Sequence, residues 1–304
     1  MKVILIVPTY NGGDLWRQVS SAISEQKNDC ECILTVDSSS DDDTRETSRA
    51  NGFKIVKIDK SEFNHGGTRN LAINTTCDID IAIFLTQDAI PEINSLSNII
   101  SVFQNSDIAV AYGRQLPHDD ANPIAAHARL FNYGCESNIL GLEDKQKYGI
   151  KTVFSSNSFS AYRISVFKEL AGFPSNTILS EDMYFAAKAV LAGYKIAYVA
   201  ESAVKHSHNY TPLEEFKRYF DIGVFHHDEK WIRDTFGGAG GEGKRFIISE
   251  FTTLLKEKPS WIPRAFLHNS LKILGYKLGQ NYKIIPKKFI KKLSMHKRYW
   301  DNQI

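Results

Sequence analysis

Cysteine is scarce in this 304-residue chain: Cys30, Cys32, Cys77 and Cys135 are the full complement. Cys30 and Cys32 form a C-x-C without a second pair at zinc-ligand spacing, which argues against a structural zinc site and a disulfide framework. A reducing, cytoplasmic setting is the expectation. Long hydrophobic runs are missing as well. No stretch approaches the roughly 18–20 apolar residues of a membrane-spanning helix. The apolar opening run, Val3 to Val7, stops at Pro8 and lacks a small-residue cleavage site, so it does not read as a signal peptide. The chain is expected neither to be secreted nor to span a membrane. An excess of one charge is also absent. Lys and Arg number 37 against 35 Asp and Glu, a net +2, so composition gives no sign of a nucleic-acid binder. What is present is ordinary globular material, 42% hydrophobic and 24% charged, enough to bury a full core. The basic residues, however, are unevenly placed.

Up to about residue 110 short apolar runs alternate with helical patterns. Strands are expected over Val3 to Val7, Cys32 to Val36, Phe53 to Ile58 and Ile79 to Leu85. Helices are expected over Leu15 to Gln26 and Asp43 to Asn51, with a third opening at Thr68. This rhythm implies βαβ units and a mostly parallel sheet, whose ligands bind beyond the carboxyl ends of the strands. Residues 114–150 look like loop and helix around a cleft. Ser180 to Leu191 reads as a helix with Ser180 at its N-cap and two acids in its first turn. Ile196 to Val199 is a further strand, and the chain turns helical beyond Thr211.

Three loops fall where chemistry is expected. Pro8-Thr9-Tyr10-Asn11-Gly12 follows the first strand, Asp37-Ser38-Ser39-Ser40-Asp41-Asp42 the second, and Thr86-Gln87-Asp88-Ala89 the fourth. An acid at a strand end can accept from a base N–H or hold a ribose hydroxyl; the plainer reading is a solvated turn that opens a helix. Asp88 at a buried strand end needs a cation or donors. A divalent ion on a diphosphate supplies one, and a helix cap is the alternative.

Together P-T-Y-N, D-S-S-S-D-D and Q-D resemble the nucleotide-binding half of the GT-A glycosyltransferases of family 2. The segments Phe63-Asn64-His65-Gly66-Gly67-Thr68-Arg69-Asn70, Tyr112 to His118, Ser180-Glu181-Asp182-Met183, Lys205 to Tyr210 and Phe216 to Asp221 resemble its rhamnosyltransferase branch. The resemblance spans about residues 3–245. It implies an α/β GT-A fold, with a Rossmann-like sheet flanked by helices and a C-terminal helical extension. It divides the chain into a catalytic domain, 1–245 (nucleotide half 1–112, acceptor half 113–245), and an extension, 246–304.

The resemblance also implies roles. Asp182 would be the general base, and Asp88 and His206 would hold Mg²⁺ or Mn²⁺, with His208 the nearest substitute. Asp37, Ser38 and neighbours would hold the base and ribose, and Pro8, Tyr10, Asn11 and Gln87 would also contact the nucleotide sugar. His65, Gly66 and Arg69 would line the diphosphate, glycines letting backbone N–H groups approach an anion. Arg114, Gln115, Glu181 and His208 are candidates for the acceptor side. Two positions depart from the pattern: Ser38 replaces a usual second acid, in keeping with a thymidine donor, and Thr86 replaces the first acid of D-x-D.

Such an enzyme performs one in-line displacement, for which a carboxylate ionised near its ordinary pKa of about 4 would serve as base. The implied reaction moves L-rhamnose from dTDP-β-L-rhamnose to a saccharide linked to polyprenyl diphosphate, in bacterial O-antigen or capsule synthesis. The rival readings are a UDP-hexose or UDP-N-acetylhexosamine donor, or a non-catalytic nucleotide-sugar binder.

Between Lys283 and Arg298 seven basic residues meet no acid and alternate with Ile284, Ile285, Phe289, Ile290 and Leu293. A basic amphipathic helix here suits an anionic membrane surface, and hence a peripheral place on the inner face of the cell membrane. A helix packed on the catalytic domain is the alternative. No motif supports nucleic acid as a partner.

Overall fold

The computed structural model describes residues 1–238 and 241–301. The chain opens β1 (Val3–Thr9), α1 (Gly13–Glu25), β2 (Cys32–Asp37), α2 (Thr44–Ala50), β3 (Lys54–Lys57), α3 (His65–Asn74) and β4 (Ile81–Leu85). β1 pairs in parallel with β2 and β4, and β2 with β3. The apolar runs of β1 and β4 are buried because helices cover both faces, as a parallel sheet requires. One boundary moves appreciably. α3 begins at His65 rather than Thr68, because extended Asn64 accepts the Gly67 N–H at 2.7 Å and caps the helix.

The chain continues with β5 (Ile90–Pro91), α4 (Ser95–Ser101), β6 (Ile108–Leu116), α5 (Pro123–Asn132), β7 (Asn138–Leu140), α6 (Lys145–Tyr148), β8 (Phe159–Arg163), α7 (Ile164–Glu169), α8 (Glu181–Leu191) and β9 (Lys195–Lys205). The sheet order is β3-β2-β1-β4-β8-β6-β9-β5, with β7 on β9. β8 runs antiparallel to both β4 and β6, while β6 and β9 are parallel. The carboxyl ends of β1, β2, β4, β6 and β9 therefore point the same way. β9 runs six residues beyond the expected Val199, which delivers His206 to the same edge as Asp88.

Five helices follow: α9 (Pro212–Asp228), α10 (Lys230–Phe236), α11 (Glu242–Glu257), α12 (Ile262–Gln280) and α13 (Lys287–Leu293). α12 lies hard against α9. A Cβ on Gly275 would come within 2.3 Å of the Phe216 carbonyl oxygen, and one on Gly279 within 2.0 Å of the Phe220 carbonyl oxygen. Only glycine permits that approach.

The single basic helix expected over 283–298 does not form. Pro286 cannot continue a helix, and α13 is left as seven residues between short 3-10 turns. The tail packs back on the body. Ile290 and Trp300 are buried, and Asp221 accepts from the N–H groups of Met295 (2.8 Å) and His296 (3.0 Å). The His296 ring meets that of His65 with centroids 5.0 Å apart. The seven basic side chains nevertheless stay exposed, Arg298 donating to the Lys60 carbonyl and Lys291 pairing with Asp301. So do several apolar ones: Phe266 (66% exposed), Leu267, Ile273 and Leu274 on α12, Leu255 on α11, and Ile284 and Phe289 in the tail. Among the described residues no helix is long and apolar enough to cross a membrane.

Candidate active site

The loops beyond β1, β2 and β4 are knitted into one surface. Gln87 clamps Tyr10, its Oε1 accepting the Tyr10 N–H at 2.7 Å and its Nε2 donating to the Tyr10 carbonyl at 3.0 Å. Asn11 donates its N–H to Ser40 Oγ (3.0 Å) and accepts the Asp41 N–H on Oδ1 (2.8 Å). Asn11, Ser39 and Ser180 hold positive φ without being glycine, backbone strain of the kind that collects at functional loops.

Asp37, expected on the base and ribose, is turned inward and only 1% exposed. Its carboxylate accepts from Ser40 N–H (3.0 Å), Ser40 Oγ (2.5 Å) and Thr9 Oγ1 (3.3 Å), with Arg45 at 3.7 Å. It braces the loop. Beside it the buried Ser38 hydroxyl has no partner among the described residues.

Arg69 also differs from expectation. It is buried, pairs with Glu181 at 3.1 Å and donates to the His65 carbonyl at 2.9 Å, so it does not present its charge at the surface. Gly66 serves packing rather than anion approach, since a Cβ there would lie 2.0 Å from the Pro174 carbonyl oxygen. Glu181, expected on the acceptor side, is buried and accepts from Asn157 Nδ2 at 2.8 Å. Burial pushes its carboxyl up, but Arg69 and His65 outweigh that and hold it below the usual range. The expected Ser180 cap is absent too, since Ser180 is left-handed at φ 60° and its side chain makes no cap bond.

Asp182 stands next to this pair. It accepts from the N–H groups of Asn157 (2.9 Å) and Met183 (2.8 Å). Burial and the neighbouring Glu181 charge nevertheless push its carboxyl up to about 7, against the ordinary value of about 4 assumed from sequence. The site thus sets two adjacent acids apart, one held ionised and one poised near neutrality, a division that suits proton transfer. Asn157 organises both, and the sequence reading missed it. The run of small polar residues Ser155-Ser156-Asn157-Ser158 just before an apolar strand was the available signal.

The third group gathers Asp88, His206 and His208, whose ligand atoms all lie within 4.8 Å of one another. His206 Nε2 is 3.5 Å from Asp88 Oδ1, and His208 Nε2 is 3.7 Å from Asp88 Oδ2. Burial pushes both imidazoles down, His208 to about 4, so both are neutral near pH 7. Gln115, expected on the acceptor side, is 1% exposed and sits behind His206. Arg129 donates to its Oε1 at 2.8 Å and its Nε2 donates to Ser156 Oγ at 2.9 Å, which fixes its orientation. The His206 Nδ1, 2.9 Å from that same Oε1, must therefore be the N–H donor. Its Nε2 lone pair then faces a carboxylate. Two acceptors facing each other call for a cation between them, and the residues fit a divalent ion. Arg114 points elsewhere, its Nε donating to the Tyr133 carbonyl at 3.4 Å. His118, also missed, steadies the centre by contacting the Asp88 carbonyl at 3.0 Å.

The model of the family described as glycosyl transferase family 2 matches residues 4–171, more than half of the chain. The chain belongs to glycosyltransferase family 2. Two relatives run nearly its full length. The O-antigen chain rhamnosyltransferase RfbN of Salmonella typhimurium is 54% identical over 304 residues, covering 99% of this chain and 97% of the relative. WbaN of Salmonella anatum, of the same description, is 54% identical over 300 residues, covering 98% and 95%. Among solved structures, a mannosyltransferase from Pyrobaculum calidifontis, in complex with GDP-Man and Mn²⁺, aligns with a TM-score of 0.56 at 18% identity. It covers 99% of this glycosyltransferase and 85% of that chain. TarS of S. aureus with UDP-GlcNAc aligns at 0.51 and 17%, covering 99% and 89%. At such identities these two speak for the fold, the mixed α/β sheet with C-terminal helices.

Proposed function

We propose that this glycosyltransferase moves L-rhamnose from dTDP-β-L-rhamnose to a lipid-linked saccharide, with inversion, in O-antigen synthesis. The observation that carries the reading is the nearly full-length similarity, at 54% identity, to two proteins named O-antigen chain rhamnosyltransferases. Residues 1–112 supply the nucleotide surface, with Tyr10, Asn11 and Ser38 toward the base and ribose. Residues 113–245 supply the acceptor side, and the helices from 246 onward wall it.

Asp182 is the base. Above about pH 7 its carboxylate takes the proton of the acceptor hydroxyl as that oxygen bonds to the anomeric carbon. The bond from the anomeric carbon to the β-phosphate oxygen breaks on the opposite face, and dTDP leaves with the electron pair. Asp88, His206 and His208 would hold a divalent ion, which when bound neutralises charge on the diphosphate. Two imidazoles and one carboxylate suit Mn²⁺ better than Mg²⁺, which prefers oxygen ligands.

The acceptor is a polyprenyl diphosphate saccharide, and the enzyme rests on an anionic membrane from its C-terminal side. Support for that comes from the exposed lysines of 283–298 next to the outward apolar residues of α12. A thermal-shift panel tests the donor. With Mn²⁺, dTDP-rhamnose should raise the melting temperature most, and a larger rise with a UDP-hexose would replace the proposed donor by its rival.

A further inference from the structure

Beyond His208 a cavity of about 390 Å³ opens between α5, α9, α11 and α12, within the range of a small-molecule pocket. Its polar wall is unusual. His268 on α12 is 2% exposed, and neither of its ring nitrogens has a partner among the described residues. Glu215 Oε2 and Arg129 Nε, also on this wall, likewise make no hydrogen bond. Buried groups left so are costly unless a ligand or water satisfies them. The cations around them are largely engaged. Lys272 lies 3.4 Å from Glu215, Arg218 lies 3.6 Å from the same carboxylate, Arg129 donates to Gln115 and Lys151 pairs with Glu242. That leaves Lys277 as the lining cation whose side chain has neither an ion pair nor a hydrogen bond among the described residues. An anion would find few free charges here.

A polyol would fit better. A hydroxyl both donates and accepts, and so matches an imidazole with one N–H and one lone pair, a carboxylate oxygen and a guanidinium N–H. Burial and Lys272 push the His268 imidazole down, which keeps it neutral. Tyr210, Tyr219 and Phe246 add the aromatic faces on which the C–H side of a sugar ring packs. We infer that this cavity binds the saccharide of the acceptor, with His268 and Glu215 reading its hydroxyls. The inference rests on the proposed transferase reading and adds to it that α11 and α12, outside the matched family region, determine which acceptor is used.

Saturation-transfer NMR with the methyl glycosides of glucose, galactose and mannose tests it on the full-length enzyme. At least one glycoside should bind the wild type. Ala128→Trp, which fills the cavity from α5, should abolish the signal, and His268→Ala should weaken it about tenfold. The same samples report Mn²⁺-dependent binding of dTDP, expected unchanged in both variants, and this also shows that each variant is folded. Should Ala128→Trp not fold, His268→Ala alone decides. Absence of glycoside binding, glycoside binding indifferent to these variants, or displacement of the glycoside by metal-free pyrophosphate would overturn the inference. Loss of dTDP binding by the wild type would instead overturn the transferase reading.

Discussion

Residues 1–243 and 244–304 are oppositely made. The first carry 23 Lys and Arg against 32 Asp and Glu, the second 14 against three, and the near-neutral total conceals the split. Three acids of the first part meet at the candidate site: Asp88 faces two histidines, and Asp182 and Glu181 are held at different proton affinities. The bases of the second part are mostly exposed, and they border apolar side chains that a purely solvated surface would not display. In the proposed function the first part carries the chemistry and the second places the enzyme on a membrane. The division is not one of independent bodies, since Gly275 and Gly279 seat α12 on α9 and His296 reaches back to His65.

The sharpest break targets the chemical part alone. Asp182→Asn should lower transfer by about 10²–10⁴ while leaving dTDP binding and liposome binding as they are. Kinetics beside equilibrium binding check this, and near-normal turnover would place the base elsewhere. The converse targets placement. Replacing Lys287, Lys288, Lys291 and Lys292 with Glu should reduce binding to anionic liposomes on the order of a hundredfold. Donor hydrolysis should be unaffected, because these side chains face solvent. Co-sedimentation at 0.1 M and 1 M salt reads it, the attraction fading as the Debye length falls from about 10 Å to about 3 Å. Truncation after Tyr282 is the cruder cut. It removes buried Ile290 and Trp300 along with the lysines, so it should also lower the melting temperature.

Smaller effects sharpen the picture within the chemical part. Gln115→Leu should weaken Mn²⁺ affinity about 10–100-fold by freeing the tautomer of His206, without removing a ligand. Calorimetry with the metal alone measures it. The pH profile comes last. Since Asp182 is raised, transfer should climb about tenfold per pH unit below about 7 and level off above it. The sign for stability is opposite: ionising a carboxyl that the fold prefers neutral costs stability as pH rises through about 7. Asp182→Asn should therefore gain melting temperature relative to the wild type above pH 7 and lose that gain near pH 4.

The parallel half was legible because its signals are local. Apolar runs such as Ile81–Leu85 and turn residues such as Gly52 name their own elements. Family resemblance singled out Asp88, Asp182 and His206, and the structure brings Asp88 and His206 together with His208. What sequence could not supply was the direction of each side chain. Asp37, Arg69, Glu181 and Gln115 turn inward: Arg69, Glu181 and Gln115 find buried partners far away in sequence, and Asp37 is held by Ser40 three residues on and by Thr9. The raised Asp182 was hidden for the same reason, as it depends on burial and on Glu181 together. The basic tail was misread as one helix by weighing its charge pattern above Pro286.

Sugar transfer itself can be measured directly. Radiolabelled sugar from dTDP-rhamnose or from UDP-hexoses is supplied to the purified enzyme with bacterial membranes carrying lipid-linked acceptor. Label from dTDP-rhamnose should enter the lipid fraction with Mn²⁺, stop with chelator and return when the metal is restored. Incorporation from a UDP-hexose alone, or full incorporation from dTDP-rhamnose in the presence of chelator, would contradict the proposed reaction.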